Sequence, residues 1–343
     1  MHETRKMRRK SSMAALLAAL FCFSLCISPA WAQEEERTLI PLGKAVGIKL
    51  FADGVLVVDI SDVQCGGNDV SPAKDCGLKE GDLILTANGE KIQSTEHMQS
   101  LLQENGEQAM ALTVKRGSKT MEVGVAPVRC DDDVCRLGAW IRDSMAGIGT
   151  LTYYDPATGS YGALGHGITD VDTAKLMPLS SGSIMETTVK AVKKGQQGSP
   201  GELKGDFTVQ RDVGTLQANT EGGIFGTVSD PTFLEMGQAL PVADREDIHT
   251  GAASILSTVS GNETREYAVE IVRLYPGEQS TRNMLICVTD PQLLSTTGGI
   301  VQGMSGSPLV QDGKLIGAVT HVLVNDPTMG YGIFIENMLE AAG

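Results

Sequence analysis

A serine enclosed by glycines stands near the end of the chain. Gly303 and Gly306 flank Met304 and Ser305 within the run from Gly298 to Pro308. Glycines on both sides allow the backbone to fold tightly enough for the hydroxyl to project and for neighbouring N–H groups to converge on one point. Converging amides of this kind form an oxyanion hole, which stabilises the tetrahedral intermediate of acyl transfer. The pattern predicts Ser305 as a nucleophile, with the amides of Gly303 and Ser305 as oxyanion donors.

A serine hydroxyl is a poor nucleophile until a base takes its proton, so a histidine must lie within hydrogen-bond reach. His166 stands in the glycine-rich turn from Gly162 to Gly167, before the polar pair Thr169-Asp170. The other histidines are His2 in the N-terminal segment, His97 in a predicted helix, His249 in a polar stretch and His321 in an apolar strand. A histidine in an apolar strand is more often a satisfied core residue than a base. His166 is therefore the predicted general base.

The elements around these residues are mostly strands. With 343 residues the chain is long enough for two folded domains, and 40 glycines with only 4% aromatic residues favour turns and β-structure. After Ser305, Leu309 to Gln311 and Lys314 to Val324 flank the turn Asp312-Gly313, which predicts a hairpin that holds the nucleophile loop rigid. Residues 137–343 show little helical periodicity before the segment 335–341. The fold class predicted is mainly β.

Residues 38–128 form a separate unit in this prediction. Short strands are expected at 54–58, 83–85 and 110–114, with Asn88-Gly89 as a hairpin turn. One helix is expected between a Ser94 or Thr95 cap and a terminating Gly106. The charged, turn-prone segment from Pro127 to Arg136 is the predicted linker to the second domain.

This unit resembles a PDZ domain in the stretches Ser71-Pro72-Ala73, Gly77 to Ile84 and Asn88-Gly89. PDZ domains bind extended peptides by strand addition and capture the peptide carboxylate with backbone amides of a loop. The resemblance makes Val46-Gly47-Ile48 the carboxylate-binding loop and places His97 beside the groove. Its ligand would be a peptide C-terminus or a segment of the chain itself. The alternatives are that Gly47 is an ordinary turn glycine, that His97 is a solvated bystander and that the domain is a spacer with an empty groove.

The N-terminus has the pattern of an export signal. Five basic residues between Arg5 and Lys10 precede the apolar run from Met13 to Ile27, and Ala30-Trp31-Ala32 has the small-x-small form that signal peptidase accepts. Residues 1–32 are predicted to be a signal peptide, with an uncleaved membrane anchor at 13–28 as the alternative. The net charge of -14 argues against a nucleic-acid partner.

Five cysteines follow the signal segment. Cys130 could pair with Cys135 and Cys65 with Cys76, but spacing alone does not fix the connectivity. The sequence has no His-Glu-x-x-His motif and no paired Cys-x-x-Cys motif, so neither a metal nor another cofactor is expected.

The nucleophile segment and its hairpin resemble those of trypsin-like serine proteases, which implies a chymotrypsin-like two-barrel fold with the base before the serine. Met304 and Ser307 stand where that family has Asp and Gly. Because the Asp is missing, its pairing with a freshly cleaved N-terminus is not expected here.

A wider resemblance, over residues 38–343, is to the stage IV sporulation protein B peptidases. It rests on Gly165-His166, Ile141 to Ser144, Thr297 to Pro308 and Gly317 to Asp326. Carried over, it implies His166 as general base, Ser305 as nucleophile and Asp290 as the acid. The alternative acids are Asp206 and Asp212, which suit a trypsin-like chain order better, and Asp290 before Pro291 is otherwise a turn former.

The same resemblance implies a biological role. The enzyme would be a sporulation signal exported into the space between the two membranes around the forespore, where it cleaves a regulator of an intramembrane metalloprotease. Its PDZ domain would position the substrate or hold the enzyme inhibited until a peptide arrives. The rival reading is an inactive PDZ adaptor in which the loop around Ser305 is structural. An esterase is disfavoured because Ser307 replaces the last glycine of the Gly-x-Ser-x-Gly elbow.

Overall fold

The computed structural model describes residues 37–234, 236–277 and 281–343. The predicted signal segment at 1–32 and the alternative anchor at 13–28 lie outside these ranges and stay predictions. Within the described ranges, no helix is long and apolar enough to cross a membrane.

The described chain is built mainly of strands. The first elements are β1 (Thr38–Pro41), β2 (Ala45–Ile60), β3 (Val63–Cys65), β4 (Asn68–Val70), α1 (Pro72–Asp75), β5 (Leu83–Ala87), β6 (Glu90–Lys91), α2 (Thr95–Asn105), β7 (Met110–Arg116), β8 (Lys119–Val125), β9 (Val128–Arg129) and β10 (Cys135–Arg136). The next are β11 (Ala139–Asp155), β12 (Ser160–Ala163), β13 (Ser181–Lys193), β14 (Glu202–Thr220), β15 (Gly223–Val228) and β16 (Leu240–Pro241). The last are β17 (Gly251–Ser257), β18 (Arg265–Leu274), β19 (Met284–Val288), α3 (Pro291–Thr297), β20 (Pro308–Gln311), β21 (Lys314–Leu323), β22 (Asp326–Phe334) and α4 (Ile335–Ala342).

A first barrel closes in the order β2, β11, β12, β15, β14 and β13, because β2 pairs with both β13 and β11. Its strands alternate apolar and polar residues, and one face fills the interior with buried side chains. Ile48, Leu151, Tyr161, Ile184 and Ile224 are among them.

A second barrel closes in the order β17, β18, β19, β22, β21 and β20. Its interior includes Ile255, Val269, Ile286, Leu309 and Val319. The final helix α4 packs against β15 of the first barrel and β21 of the second. The two closed six-stranded barrels confirm the prediction of a mainly β, chymotrypsin-like peptidase fold.

The PDZ domain contains the predicted helix and strands. The helix α2 begins after Ser94, whose Oγ accepts a hydrogen bond from the His97 N–H at 3.1 Å, and it ends at Gly106 with φ of 64°. Met98 and Leu102 are its buried face. The predicted strands lie within β2, β5 and β7, and Asn88 and Gly89 take positive φ at the β5–β6 turn. The helix and this hairpin turn are therefore confirmed.

Two long strands join the PDZ domain to the first barrel. The first half of β2 pairs with β11 and β13, whereas Val55 and Leu56 in its second half pair with β5 of the PDZ domain. Residues 139–142 of β11 pair with that second half, and residues 144–150 pair with the barrel half. The PDZ domain is therefore inserted between neighbouring barrel strands, and the predicted boundary at residue 38 moves to the middle of β2.

The strand β2 also corrects the predicted carboxylate-binding loop. Val46, Gly47 and Ile48 lie in a continuous strand whose backbone pairs on one side with β11 and on the other with β13. Val46 and Ile48 are buried in the barrel, and a Cβ on Gly47 would overlap the Phe207 ring. A strand paired on both sides cannot receive a peptide carboxylate, so this prediction is wrong.

The disulfide differs from both pairs suggested by spacing. Cys65 is bonded to Cys130, whereas Cys76, Cys135 and Cys287 are free thiols. The bond joins the β3–β4 hairpin to the segment that follows β9. Short separation in the sequence therefore did not identify the disulfide pair, because Cys65 and Cys130 come together only when the PDZ domain folds.

Candidate active site

The loop that carries Ser305 is held by the first barrel. The Thr150 hydroxyl donates to the Gly303 carbonyl at 2.7 Å, and the Thr150 N–H donates to the Ser305 carbonyl at 3.0 Å. The Thr152 hydroxyl donates to the Gly306 carbonyl at 2.8 Å. Both threonines are fully buried in β11. Three hydrogen bonds from one strand therefore fix a loop that lies more than 150 residues away in the sequence.

Backbone amides in this loop alternate between bonded and free. Met304 N–H donates to the Val301 carbonyl and Gly306 N–H donates to the Val319 carbonyl. The N–H groups of Gly303 and Ser305 have no acceptor in the described part of the chain. Two free donors two residues apart are what an oxyanion hole requires. The buried Met304 belongs to the core of the second barrel, so the position where trypsin-like enzymes carry Asp holds an apolar side chain.

His166 lies in the turn after β12. Leu164 and Gly165 both have φ of 68°, and the Leu164 N–H donates to the Thr150 carbonyl, so the same threonine anchors both site loops. The Nδ1 of His166 is 2.9 Å from the Gly167 carbonyl. A carbonyl only accepts, so Nδ1 carries the proton and Nε2 keeps a lone pair. Burial lowers the pKa of His166, against the opposing effect of the Gly167 hydrogen bond, and so favours the neutral base.

A cavity of about 390 Å³ brings the two residues together. Ser305, Gly303 and His166 line it with His321, and the remaining wall is mostly aliphatic. The aliphatic members are Ile48, Met145, Ala146, Ile148, Leu164, Ile168, Ile300, Val301 and Val322. The Ser305 hydroxyl donates to the Thr320 carbonyl at 2.7 Å, so in this structure it is not bonded to His166. The Ser305 hydroxyl must leave the Thr320 carbonyl before it can donate to His166.

The cavity contains a second histidine that the sequence reading set aside. His321 lies on β21, and its ring centroid is 5.0 Å from that of His166. Its Nδ1 is buried without a hydrogen-bond partner among the described residues, which costs about 1–3 kcal/mol. Burial, His166 and Arg282 together lower the pKa of His321 to about 4. The expectation of a satisfied core residue is therefore wrong, although nothing in the local sequence could have signalled the vacant nitrogen.

The structure does not bring Asp290 to this cavity. Its carboxylate caps α3 by accepting the Leu293 N–H at 2.9 Å, and Pro291 follows as the first helical residue. The alternative acids, Asp206 and Asp212, are exposed and also lie outside this cavity. Asp206 is 4.0 Å from Lys190, and Asp212 accepts a hydrogen bond from the Ser183 hydroxyl. In this structure Asp290 is a helix cap, which corrects its expected position beside His166.

Asp170, in the loop that follows His166, has a structural role. Asp170 is fully buried and bonded to Arg142, to the Asp172 N–H and to both the N–H and hydroxyl of Thr173. Desolvation opposes its ionisation, but these hydrogen bonds and the Arg142 charge lower the pKa of Asp170. Arg142 belongs to the motif from Ile141 to Ser144 that carried the family resemblance, and its role here is to fix the loop after His166.

His97 lies apart from the PDZ groove. Its Nε2 is 3.3 Å from a Glu90 carboxylate oxygen and its Nδ1 accepts the Gln93 N–H, so the ring faces the β6 turn. The groove is instead a cavity of about 1060 Å³ between α2 and residues 134–141, with Trp140 62% exposed at its edge. The prediction that His97 lines the groove is wrong because the helix turns this side chain away from it.

In this groove, the helix α2 is hydrogen-bonded to another segment of the same chain. The side-chain amide of Gln103 on α2 donates to the Cys135 carbonyl and accepts the Cys135 N–H, each at 3.2 Å. The chain's own backbone therefore occupies part of the helix surface. Among the described residues, no group of three or more His, Cys, Asp or Glu side chains is placed to hold a metal ion.

Two family models match the sequence. A PDZ domain is matched at residues 67–116, within the inserted unit. SpoIVB peptidase S55 is matched at residues 133–339, which is more than half of the chain and includes both site loops.

Single relatives match smaller parts. The Regulator of sigma-W protease RasP of Bacillus subtilis (strain 168) is 35% identical over 89 residues, covering 25% of this chain and 21% of that protein, so the chain spans about a fifth of this relative's length. The PDZ domain of the SdrC-like protein from Listeria monocytogenes is 21% identical and covers 26% of this chain and 87% of that one, with a TM-score of 0.22.

A solved peptidase structure also resembles the chain. The Rv3671c protease from M. tuberculosis, in its active form, is 15% identical and covers 58% of this chain and 73% of that one, with a TM-score of 0.31. The S55 match over residues 133–339 and the PDZ match over residues 67–116 identify the family. The chain belongs to the SpoIVB peptidase S55 family and carries a PDZ domain.

Proposed function

We propose that this serine endopeptidase is an exported sporulation signalling protease that cleaves a regulator of an intramembrane metalloprotease, with Ser305 as nucleophile and His166 as general base. The observation that carries the site assignment is the pair of free amides, Gly303 and Ser305, beside a serine and a neutral histidine in one cavity. The family supports the sporulation role. The basic and apolar N-terminal segment supports export, and the Cys65–Cys130 disulfide suits an oxidising compartment.

The chemistry follows from the geometry. The Nε2 of His166 takes the proton of the Ser305 hydroxyl as Oγ attacks the scissile carbonyl carbon. The amides of Gly303 and Ser305 stabilise the resulting oxyanion. Collapse breaks the C–N bond, and the imidazolium gives its proton to the leaving amine. A water molecule, deprotonated by His166, then hydrolyses the acyl-enzyme and restores the serine.

The lining of the cavity suggests the substrate class. Apart from its two histidines, the cavity wall is formed by uncharged side chains, most of them aliphatic. A cationic or anionic substrate side chain would lose its hydration there without gaining a partner. We therefore propose cleavage after an apolar residue. The PDZ groove, with Gln103 already bound to the backbone of Cys135, would bind the substrate or a segment of the chain itself.

The direct test is labelling of the full-length chain with a fluorophosphonate probe, followed by mass mapping of the modified peptide. We expect a single phosphonylated residue, Ser305, and complete loss of labelling in Ser305→Ala. Ser307→Ala is the matched control, because the Ser307 hydroxyl is buried, donates to the Ser257 hydroxyl and is not part of the wall of the Ser305 cavity. Label on another serine, or persistence of label in Ser305→Ala, would contradict the assignment.

One observation supports the alternative that the protein is an inactive PDZ adaptor. The Ser305 hydroxyl donates to the Thr320 carbonyl and not to a base. The absence of any labelling of the intact protein, including after addition of C-terminal peptides that fill the PDZ groove, would favour a PDZ adaptor over the peptidase. Labelling that appears only with such a peptide would favour an enzyme held inactive by its own PDZ domain.

The pH dependence of labelling follows from His166. Burial holds its pKa below the ordinary 6.5, so the neutral base persists below that pH and is lost only as the pH falls through the lowered value. We expect the rate constant for Ser305 labelling, measured between about pH 5 and pH 8, to have its acidic midpoint below 6.5. A midpoint at or above 6.5 would contradict the buried, neutral state.

A further inference from the structure

The pairing between β2 and β11 is interrupted where the PDZ domain meets the first barrel. The register shifts between Arg142 and Ser144, so residues 52–55 of β2 lie opposite Asp143 alone. A shift of this kind breaks the regular ladder of backbone hydrogen bonds between the two strands. Side-chain contacts of Asp143 and its neighbours therefore gain weight in holding the PDZ domain to the barrel at this point.

The Asp143 carboxylate binds the first residue of α2. Its Oδ2 accepts the Thr95 N–H at 2.9 Å, and its Oδ1 accepts the Ser144 hydroxyl at 2.8 Å. The first N–H groups of a helix have no partner within the helix, and their partial positive charge favours a carboxylate. Ser94 already accepts the His97 N–H, so Asp143 satisfies another of these groups from a distant strand. The N-terminal end of α2 is thus tied to β11.

Arg142, the residue before Asp143, binds the loop of residues 168–177 that follows His166. Its guanidinium is bonded to the fully buried carboxylate of Asp170. Breaking such a pair leaves an uncompensated buried charge, so the contact holds the 168–177 loop strongly. Successive side chains of a strand point to opposite faces, and Arg142 and Asp143 therefore bind two different elements from one short piece of β11.

The 168–177 loop also has a direct contact with the PDZ domain. The Lys175 ammonium donates to the Glu80 carbonyl at 3.1 Å, in the turn before β5. A Cβ on Gly81 in the same turn would overlap the Lys175 side chain. The PDZ domain therefore touches this loop at one point directly and at a second point through β11.

The 168–177 loop packs against the residue that orients the His166 ring. A Cβ on Gly167 would overlap the Leu176 side chain and the Thr220 carbonyl, so Gly167 is enclosed by this loop and by β14. The Gly167 carbonyl is the group that binds the His166 Nδ1, at 2.9 Å. Displacement of the loop would therefore move the imidazole relative to Ser305.

We propose that Asp143 is a positioning residue that couples the helix α2 of the PDZ domain to the general base His166. This inference rests on the proposed function of Ser305 and His166. Asp143 holds the N-terminal end of α2, Arg142 beside it holds the 168–177 loop, and the loop holds the base. Because α2 also forms one wall of the PDZ groove, the position of this helix sets the reactivity of Ser305.

The test measures the saturation kinetics of fluorophosphonate labelling at Ser305 in the full-length chain. Thr95→Pro removes the N–H that Asp143 accepts, and proline is tolerated at the first position of a helix and after an extended residue such as Ser94. We expect a limiting rate about threefold to thirtyfold below that of the wild type, with unchanged affinity for the probe. Thr95→Ala is the matched variant, because it keeps the N–H, and it should retain most of the rate.

A double-mutant cycle tests whether the effect passes through Asp143. Asp143→Ala removes the acceptor and should lower the limiting rate by a similar factor, whereas Asp143→Asn keeps an acceptor oxygen and should retain most of the rate. Addition of Thr95→Pro to Asp143→Ala should cause no further loss, because the hydrogen bond is already absent. Equal losses from Thr95→Pro in both backgrounds would mean that α2 acts by another route, and would overturn the role of Asp143.

The outcomes separate this inference from the proposed function. If the wild-type chain is not labelled at Ser305, or if His166→Ala is labelled at the wild-type rate, the proposed function fails. If labelling depends on His166 but Thr95→Pro and Asp143→Ala react at the wild-type rate, only the coupling is overturned. A weaker affinity for the probe with an unchanged limiting rate would overturn it as well. If Thr95→Pro unfolds, as judged by thermal melting, the comparison rests on Asp143→Asn against Asp143→Ala, and equal rates for those two overturn the coupling.

Discussion

Gly306→Ala is expected to abolish labelling of Ser305 and to lower the unfolding temperature. Gly306 has φ of 96°, and a Cβ there would overlap the Thr150 carbonyl and the Leu164 amide. Overpacking of this kind costs roughly 1–3 kcal/mol, in addition to about 1–2 kcal/mol for the left-handed backbone. Because Thr150 anchors both site loops, relief of the overlap must move Ser305 relative to His166. We expect a loss of at least about 100-fold in the labelling rate, as for removal of an oxyanion donor.

Gly313→Ala is the matched control for this prediction. Gly313 also has positive φ, at 77°, but no atom lies within 4 Å of where its Cβ would be. The substitution therefore carries the backbone cost without the overlap, and the hairpin after Ser305 should keep its activity. If thermal melting and labelling rates change equally in both variants, contact with Thr150 and Leu164 does not hold the nucleophile loop.

The sequence predicts correctly the elements that are determined by residues close to one another in the chain. The helix α2 follows from its Ser94 cap, its Met98 and Leu102 stripe and its terminating Gly106, all within a dozen residues. The hairpin after the nucleophile follows from Asp312-Gly313, both of which take positive φ. The Ser305 loop is of the same kind, because glycines at 303 and 306 permit the positive φ values of 99° and 96° that its tight turn requires. Each of these signals is read correctly without knowledge of the rest of the fold.

The PDZ insertion depends on distant strands and could not be read in this way. Val46, Gly47 and Ile48 lie in a short run without polar side chains between Lys44 and Lys49, which suits a PDZ edge and a barrel strand equally well. What decides between them is the pairing of β2 with β11 and β13, which lie about 100 to 140 residues further along the chain. The same holds for Cys65, whose partner Cys130 stands at the other end of the PDZ domain.

Asp290 and His321 show how the local sequence and the three-dimensional structure can point to different roles for one residue. Asp290 before Pro291 has the local signature of a helix N-cap, and the structure uses it as one, although resemblance gave it a catalytic role. His321 has an ordinary context in an apolar strand, yet it lines the cavity of Ser305, and its Nδ1 is buried without a hydrogen-bond partner among the described residues. Thr150 was overlooked because a threonine in a strand carries no catalytic pattern. Its hydrogen bonds to both site loops become visible only in three dimensions.

His166→Ala is expected to lower the labelling rate of Ser305 by roughly 100-fold to 10,000-fold, the range typical of a lost general base. Truncation leaves space within a cavity of about 390 Å³ beside the serine. We expect added imidazole to enter this space and restore part of the rate, since it supplies a nitrogen with a free lone pair. His249→Ala should label at the wild-type rate, because that ring is exposed and bonded to Asp312.

The rescue distinguishes a missing base from a damaged fold. A collapsed loop would bind imidazole no better than the intact enzyme, so labelling would stay low at every imidazole concentration. Recovery that saturates with imidazole concentration in His166→Ala, and is absent in the double variant with Ser305→Ala, requires that Ser305 and its oxyanion amides keep their arrangement without the histidine. That arrangement is expected, because Thr150 and Thr152 bind the loop through its backbone carbonyls and make no use of His166. Failure of rescue with an unchanged unfolding temperature would instead indicate that the His166 ring itself shapes the cavity.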